Sequence, residues 1–139
     1  MGHACKNLVI HCMDFRLMKD IRCWLQSKGL VGDTDEVSVA GATKDLVAPD
    51  WPSSREVILK QIRFSYDLHN MRRVILMHHT DCGAYGGHKA FANELEEERR
   101  HICDMKTAAN AIKVRWPDIE VKMVLIKIKE SGNEFAEIR

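Results

Sequence analysis

The sequence predicts an α/β fold, a single domain over residues 1–139 with a mostly parallel central sheet of four or five strands flanked by helices. Two patterns predict it. Short apolar segments alternate along the chain with segments whose apolar residues recur three or four positions apart, which is typical of strands joined by crossover helices. Residues 74–77 are all apolar, as expected for a strand that is buried on both faces of a parallel sheet.

The predicted strands are short and end at a polar residue or a glycine. They are Asn7–His11 and residues 36–40, 74–77 and 118–129. In the last of these, Val124, Ile126 and Ile128 alternate with other residues, so one face of that strand is predicted to be buried. The tail that ends at Arg139 shows no pattern strong enough to assign.

The predicted helices are recognised by the spacing of their apolar residues. They span residues 17–28, residues 53–70 and about residues 91–112, and residues 42–52 and 83–87 are predicted loops. Gly29 follows the first helix as a C-terminal cap. Ser53 and Glu56 fit a capping box at the start of the second helix. The acidic run at residues 94–98 lies at the front of the third helix and is predicted to form a solvated face.

Composition limits the classes of protein to consider. With 139 residues, 45% of them hydrophobic and 29% charged, the chain is suited to one globular domain. The net charge of +1 gives no basic field for nucleic acid. No apolar run is long enough to span a membrane and no signal peptide is apparent, so we expect a cytoplasmic protein that binds neither nucleic acid nor membrane.

The chain has five cysteines, and this odd number argues against a disulfide framework. Cys5, Cys23 and Cys103 are expected to be packing or surface thiols. Cys12 and Cys82 are different because each follows a predicted strand, at the place where an open α/β sheet binds its ligands.

Three candidate metal ligands lie at the ends of two predicted strands. Cys12 follows the first strand, and His79 and Cys82 follow residues 74–77. If these strands are parallel neighbours, the three side chains emerge at the same edge of the sheet. Two thiolates and one imidazole suit zinc, and three protein ligands leave a fourth position open, as in catalytic zinc sites.

A carboxylate and a guanidinium accompany the first cysteine. Asp14 and Arg16 follow Cys12 at intervals of two residues, a spacing at which they can form charge-assisted hydrogen bonds. Beside a metal, such a pair can direct the carboxylate either toward the ion or toward a water molecule on it.

These residues carry a resemblance to a known family. Cys12-x-Asp14-x-Arg16, followed after an apolar strand by His79-Thr80-Asp81-Cys82-Gly83, resembles the two motifs of the β-class carbonic anhydrases. The resemblance covers well over half of the chain, with both motifs in the family's order. It implies a sheet in the order 2-1-3-4 with a fifth strand at the edge.

The resemblance also implies an activity. Cys12, His79 and Cys82 would bind Zn²⁺, whose bound hydroxide would convert carbon dioxide reversibly to bicarbonate. Asp14 would either accept a hydrogen bond from the zinc-bound water or be the fourth ligand of a closed site, and Arg16 would hold Asp14 away from the metal in the open state. Family members are homodimers or higher homo-oligomers with the active site near the subunit interface.

The sequence departs from the family pattern at three places. Phe15 stands where a small residue is usual, the arginine expected shortly before Gly41 is missing, and His78 replaces a glycine. Alternative functions are therefore a hydrolase of a CO₂-like molecule such as carbonyl sulfide or carbon disulfide, which Phe15 would favour by narrowing the pocket, or a non-catalytic zinc-binding module closed by Asp14. A further alternative is a cysteine enzyme that uses Cys82 with His79.

Three further histidines are candidates for moving the proton that hydration releases, because an imidazole titrates near neutral pH. They are His11, His78 and His88. Alternation along their strands places His11 and His78 on the faces opposite their neighbouring candidate ligands, so structural roles are favoured for both.

Overall fold

The centre of the fold is a β-sheet. In the computed structural model, which describes residues 3–139, its strands are β1 (Asn7–His11), β2 (Thr34–Ser38), β3 (Arg73–His79), β4 (Glu120–Lys127) and β5 (Glu134–Ile138). They lie in the order β2-β1-β3-β4-β5, with β1 to β4 parallel and β5 antiparallel to β4. This confirms the predicted α/β class and the sheet order with a fifth strand at the edge.

Helices cover both faces of this sheet. They are α1 (Met18–Ser27), α2 (Lys44–Val47), α3 (Pro52–His69) and α4 (Glu94–Arg115). On one face, apolar residues of α1 such as Ile21 pack against Val9 and Ile75. On the other face, α2, α3 and α4 contribute residues such as Ile62 to a core with Leu8. Neighbouring residues of β1 thus face opposite cores, as the alternation of side chains along a strand requires.

The last predicted strand has the buried face that its alternation indicates. Val124 and Ile126 are buried on the α1 side of the sheet, and Ile128 packs against the same core. The C-terminal tail, where the sequence shows no assignable pattern, forms β5. Its Phe135 stacks on Trp24 of α1, with ring centroids 5.9 Å apart, so the edge strand also contributes to this core.

The predicted ends of the helices are only partly right. Gly29 follows α1 with a φ of +70°, as a C-terminal cap requires. The capping box at Ser53 is wrong, because α3 begins at Pro52 and its N-cap residue is Trp51. Proline suits the first position of a helix, where its missing N–H would have no partner.

The third predicted helix begins later than its apolar spacing suggested. α4 starts at Glu94, and the side chain of Asn93 caps it by accepting a hydrogen bond from the N–H of Glu96 at 2.9 Å. The acidic run is not wholly solvated, since Glu97 is only 1% exposed. The predicted loop at residues 42–52 also contains the short helix α2.

Within residues 3–139, none of the helices combines the length and the apolar character that crossing a membrane would require.

The corrected helix ends can be tested by matched substitutions. Asn93→Ala should lower the free energy of unfolding by about 1 kcal/mol, because it removes a side-chain cap. Ser53→Ala should change it by less than about 0.5 kcal/mol, since an exposed serine that caps nothing contributes little. Urea denaturation of both variants measures the difference. A larger loss of unfolding free energy for Ser53→Ala than for Asn93→Ala would instead support the predicted capping box at Ser53.

Candidate metal centre

The three predicted ligands meet at one edge of the sheet. β1 and β3 are hydrogen-bonded parallel neighbours, with Ile10 opposite Leu76, so both strands end on the same side. Cys12 directly follows β1, His79 is the last residue of β3, and Cys82 lies three positions further on. One ligand atom from each residue lies within 4.8 Å of the other two, and all three residues are buried.

The imidazole of His79 is oriented by its own backbone. Its Nδ1 lies 2.7 Å from the carbonyl oxygen of Thr80, and because a carbonyl only accepts, Nδ1 carries the proton. Nε2 therefore has a free lone pair. This atom is buried and has no hydrogen-bond partner among the described residues. A buried acceptor without a partner is costly, and a metal ion would remove that cost.

The two thiols are electrostatically coupled. The pKa of Cys12 is lowered, chiefly because the Cys82 thiol donates a hydrogen bond to its sulfur, and the pKa of Cys82 is raised for the same reason. The pair thus shares a proton that a metal ion would displace. Two sulfurs and one imidazole nitrogen are a donor set that zinc prefers, so these residues fit zinc.

A backbone N–H also points at Cys12. The N–H of Gly41, in the loop after β2, donates to Cys12 Sγ at 3.5 Å. Gly41 has a φ of +77°, and a Cβ atom there would lie 3.0 Å from the Cβ of Ala84. Both the backbone conformation and the close approach therefore favour glycine. The predicted strand at residues 36–40 ends just before Gly41, and nothing in the sequence indicates that the N–H of Gly41 contacts this sulfur.

Asp14 and Arg16 form an ion pair beside the three ligands. Arg16 Nη2 lies 2.7 Å and Nε 3.0 Å from the carboxylate oxygens of Asp14, and the backbone N–H of Arg16 donates to the same carboxylate at 2.9 Å. These hydrogen bonds lower the pKa of Asp14 to about 2, so its carboxylate is ionised at neutral pH. Asp14 Oδ2 lies 3.9 Å from His79 Nε2.

The carboxylate of Asp14 is nevertheless outside the group of three mutually close ligand atoms. Arg16 holds it on the side of His79, next to the group. The carboxylate of Asp14 therefore lies beside the three candidate ligand atoms without joining their group.

Two further acidic residues, Asp81 and Glu97, hold this arrangement together, and neither is predicted from the sequence to act in the site. Asp81 accepts hydrogen bonds from Arg16 through Oδ2 and through its carbonyl oxygen, both at 3.0 Å. The N–H of Asp81 donates at 2.7 Å to Oε2 of the buried Glu97. Asp81 has a φ of +54°, so these contacts stabilise a backbone conformation that is uncommon outside glycine. The sequence could have pointed to Asp81, because it lies within the second motif. It could not have pointed to Glu97, because nothing in an acidic run indicates that one of its residues is buried.

The other histidines lie around the site rather than in it. His78 is buried against Thr43 and His101, on the opposite face from His79 as alternation indicated, and burial lowers its pKa well below the usual value. His11 is also buried and bonds the carbonyl oxygen of its neighbour. The side chain of His88 is half-exposed, and its Nδ1 lies 2.6 Å from Glu97. Of the three proton-transfer candidates, His88 is thus the one in contact with solvent.

Phe15 and the other three cysteines lie outside the group of candidate ligands. Phe15 is 85% exposed and the ion pair beside it is intact, so its ring neither packs over the ligands of its own chain nor displaces Asp14. Cys23 and Cys103 are exposed, and Cys5 is half-buried at the other end of β1.

Sequence comparisons point to one family. A family model described as "Putative carbonic anhydrase" matches residues 2–133. An uncharacterized protein of Rickettsia bellii (strain RML369-C) is 30% identical over 123 residues, which cover 86% of this chain and 75% of the relative. An uncharacterized protein of Rickettsia conorii (strain ATCC VR-613 / Malish 7) is 27% identical over 135 residues, covering 95% of this chain and 73% of the relative.

Structural comparisons agree on the fold. The carbonic anhydrase from Glaciozyma antarctica matches with a TM-score of 0.63 at 19% identity, covering 100% of this chain and 85% of that chain. A tetrameric β-carbonic anhydrase from the filamentous ascomycete Sordaria macrospora matches with a TM-score of 0.59 at 16% identity, covering 99% of this chain and 84% of that chain. Because the family model spans nearly the whole chain, the chain belongs to the family described as "Putative carbonic anhydrase", and its fold is that of the β-carbonic anhydrases.

Proposed function

We propose that this chain is a zinc-dependent carbonic anhydrase that hydrates carbon dioxide reversibly to bicarbonate. The observation that carries the proposal is the buried group of Cys12, His79 and Cys82 with an unpartnered imidazole nitrogen, next to an ionised carboxylate. Family membership supports the same activity.

Each residue has a distinct part in this proposal. Cys12, His79 and Cys82 would hold the ion. Zinc, when bound, supplies a Lewis-acidic centre that makes a nucleophile from water. Two thiolates balance the charge of Zn²⁺ and so make it a weaker Lewis acid. The hydrogen bond that Asp14 accepts from the reacting water would therefore matter more.

Asp14 would accept a hydrogen bond from the reacting water and so orient it, while the released proton would leave by another group or to buffer. Its lowered pKa keeps it ionised, so it is always available as an acceptor. Arg16 would position it through two hydrogen bonds, and Asp81 would in turn position Arg16. The direction of the Asp14 carboxylate is therefore set before substrate arrives, which lowers the cost of reorganisation during the reaction.

No observation favours a carbonyl sulfide or carbon disulfide hydrolase, since that alternative depended on a narrowing by Phe15, which is largely exposed. A closed, non-catalytic zinc module and a cysteine enzyme make different predictions from a carbonic anhydrase, and the two substitutions below distinguish them. Two further predictions come from the sequence alone. They are that residues 1–139 form one domain and that the protein is cytoplasmic.

Self-association is part of the proposal. Met13, Phe15 and Met18 are 65%, 85% and 75% exposed, and they lie within or next to the Asp14–Arg16 segment of the sequence. We call these three residues the apolar rim. Large apolar side chains exposed together are typical of surfaces that contact a partner. We propose that two copies of the chain meet at this rim, as a homodimer or as part of a higher homo-oligomer.

The ligand set is tested by Cys12→Ser. This variant should lose one equivalent of zinc per chain and its CO₂ hydration, because a serine hydroxyl is a far poorer zinc ligand than a thiolate. Elemental analysis and stopped-flow CO₂ hydration measure the two effects, with Cys23→Ser, an exposed thiol on α1, as the matched control. Unchanged zinc in Cys12→Ser would reject Cys12 as a ligand, and a zinc-free parent chain with a reactive thiol would indicate a cysteine enzyme.

The role of Asp14 is tested by Asp14→Asn. The variant should keep its zinc while CO₂ hydration slows by about 10- to 100-fold, since one charge-assisted hydrogen bond contributes about 1.5–3 kcal/mol. Asp67→Asn, in an exposed ion pair on α3, is the control and should hydrate CO₂ at the parent rate. Faster hydration together with weaker zinc binding in Asp14→Asn would instead show that Asp14 closes the site as a fourth ligand.

The apolar rim is tested by the mass of the chain in solution. Light scattering should give at least twice the monomer mass for the parent chain, and Phe15→Ser should shift it toward the monomer because burying the ring drives association. Val114→Ser, which alters a 79% exposed residue of α4, should leave the mass unchanged. A monomeric parent chain, or dissociation only by Val114→Ser, would refute the proposed interface.

A further inference from the structure

We propose that the chain has a second zinc site, formed by Cys5, Asp35 and His69 at the opposite end of the sheet from the Cys12 group. One ligand atom from each of these residues lies within 4.8 Å of the other two. None of the three contributes to the site described above, and the inference does not depend on the proposed hydration of CO₂. We call these residues the second cluster.

The backbone brings the second cluster together. Cys5 precedes β1, Asp35 lies in β2 opposite Leu8, and His69 is the last residue of α3. The N–H of Cys5 donates to the carbonyl oxygen of His69 at 3.0 Å, which ties the start of the chain to the end of the helix. Because β1 leads from Cys5 toward Cys12, the two groups of ligands lie at opposite ends of the same strand.

The carboxylate of Asp35 is held by two hydrogen bonds. Its Oδ2 accepts from the buried Ser65 hydroxyl at 2.7 Å and lies 2.6 Å from His69 Nδ1. Burial raises the pKa of Asp35, but the hydrogen bonds from Ser65 and His69 outweigh burial and lower it overall. Asp35 is therefore an ionised ligand whose position is set by a second residue, as is usual for carboxylates that bind metal.

The donor set favours zinc over harder cations. A thiol sulfur, an imidazole nitrogen and a carboxylate oxygen all bind Zn²⁺, whereas Mg²⁺ and Ca²⁺ prefer oxygen ligands. The ring of His3 lies edge-on to that of His69, with centroids 5.2 Å apart, but His3 is not among the three residues whose ligand atoms are mutually close. All three residues of the second cluster are half-buried, which leaves an ion access from solvent.

The same residues do not suit a nucleophilic cysteine. A reactive thiol has a lowered pKa, and the pKa of Cys5 is raised, first by burial and then by its hydrogen bond to Asp35. A metal ion would release that proton on binding, as zinc does from other thiols.

The experiment counts metal ions on the full chain. Chain that has been stripped with a chelator is reloaded with Zn²⁺ alone and, separately, with Co²⁺ alone, and the bound equivalents are measured. The parent chain should bind two equivalents, and Cys5→Ser, Asp35→Asn and His69→Gln should each bind one while CO₂ hydration is unchanged. Cys103→Ser, an exposed thiol on α4, is the control and should bind two.

The cobalt spectrum assigns the ions to their sites. Cys12→Ser should keep one Co²⁺ with a thiolate-to-metal absorption band, and this band should vanish when Cys5→Ser is added. Thermal unfolding of each variant separates loss of metal from loss of fold, and His69→Gln and Asp35→Asn give independent readouts if Cys5→Ser does not fold.

Two outcomes overturn the proposal. One is a parent chain whose only bound ion is lost with Cys12→Ser. The other is unchanged metal content in all three variants of the second cluster. Failure of the proposed hydration activity would appear differently, as a metal-loaded parent chain that does not hydrate CO₂.

Discussion

The parallel pairing of β1 with β3 is the constraint on which the rest of the site depends. It aligns Ile10 with Leu76, so the two strands end side by side and Cys12 and His79 lie at the same edge of the sheet. Residues nearly 70 positions apart in the sequence become neighbours because buried parallel strands cannot shift register without moving apolar side chains out of their cores. The candidate ligands Cys12 and His79 are thus supported by strands that are buried in the core.

Around that edge, hydrogen bonds between charged groups, rather than apolar packing, fix the positions of the side chains. Arg16 links Asp14, next to the ligands, with Asp81, inside the second motif, and Glu97 holds Asp81 from α4. A buried carboxylate such as Glu97 is tolerated because it accepts from the N–H of Asp81 and bonds His88. The loop between His79 and Cys82 is therefore fixed from both sides, and the direction of Asp14 follows from that.

The same strand pairing organises the other end of the sheet. The starts of β1 and β2 and the end of α3 converge there, and polar side chains collect where the strands begin as well as where they end. Asp35 Oδ2 accepts a hydrogen bond from Ser65 and lies 2.6 Å from His69 Nδ1 at that end. Both groups of ligands are thus products of one topology.

The sequence by itself determined the fold class, most strands and the two motifs, because apolar periodicity and the residues after each strand are local signals. It misplaced the starts of α3 and α4. Ser53 can cap a helix but does not cap α3, and the apolar spacing that begins at residue 91 extends before the cap of α4 at Asn93. It could not show that Glu97 is buried, that Gly41 reaches the sulfur of Cys12, or that Cys5 meets Asp35 and His69. Those contacts join distant segments, and only the tertiary structure decides them, because they follow from how helices dock on the sheet.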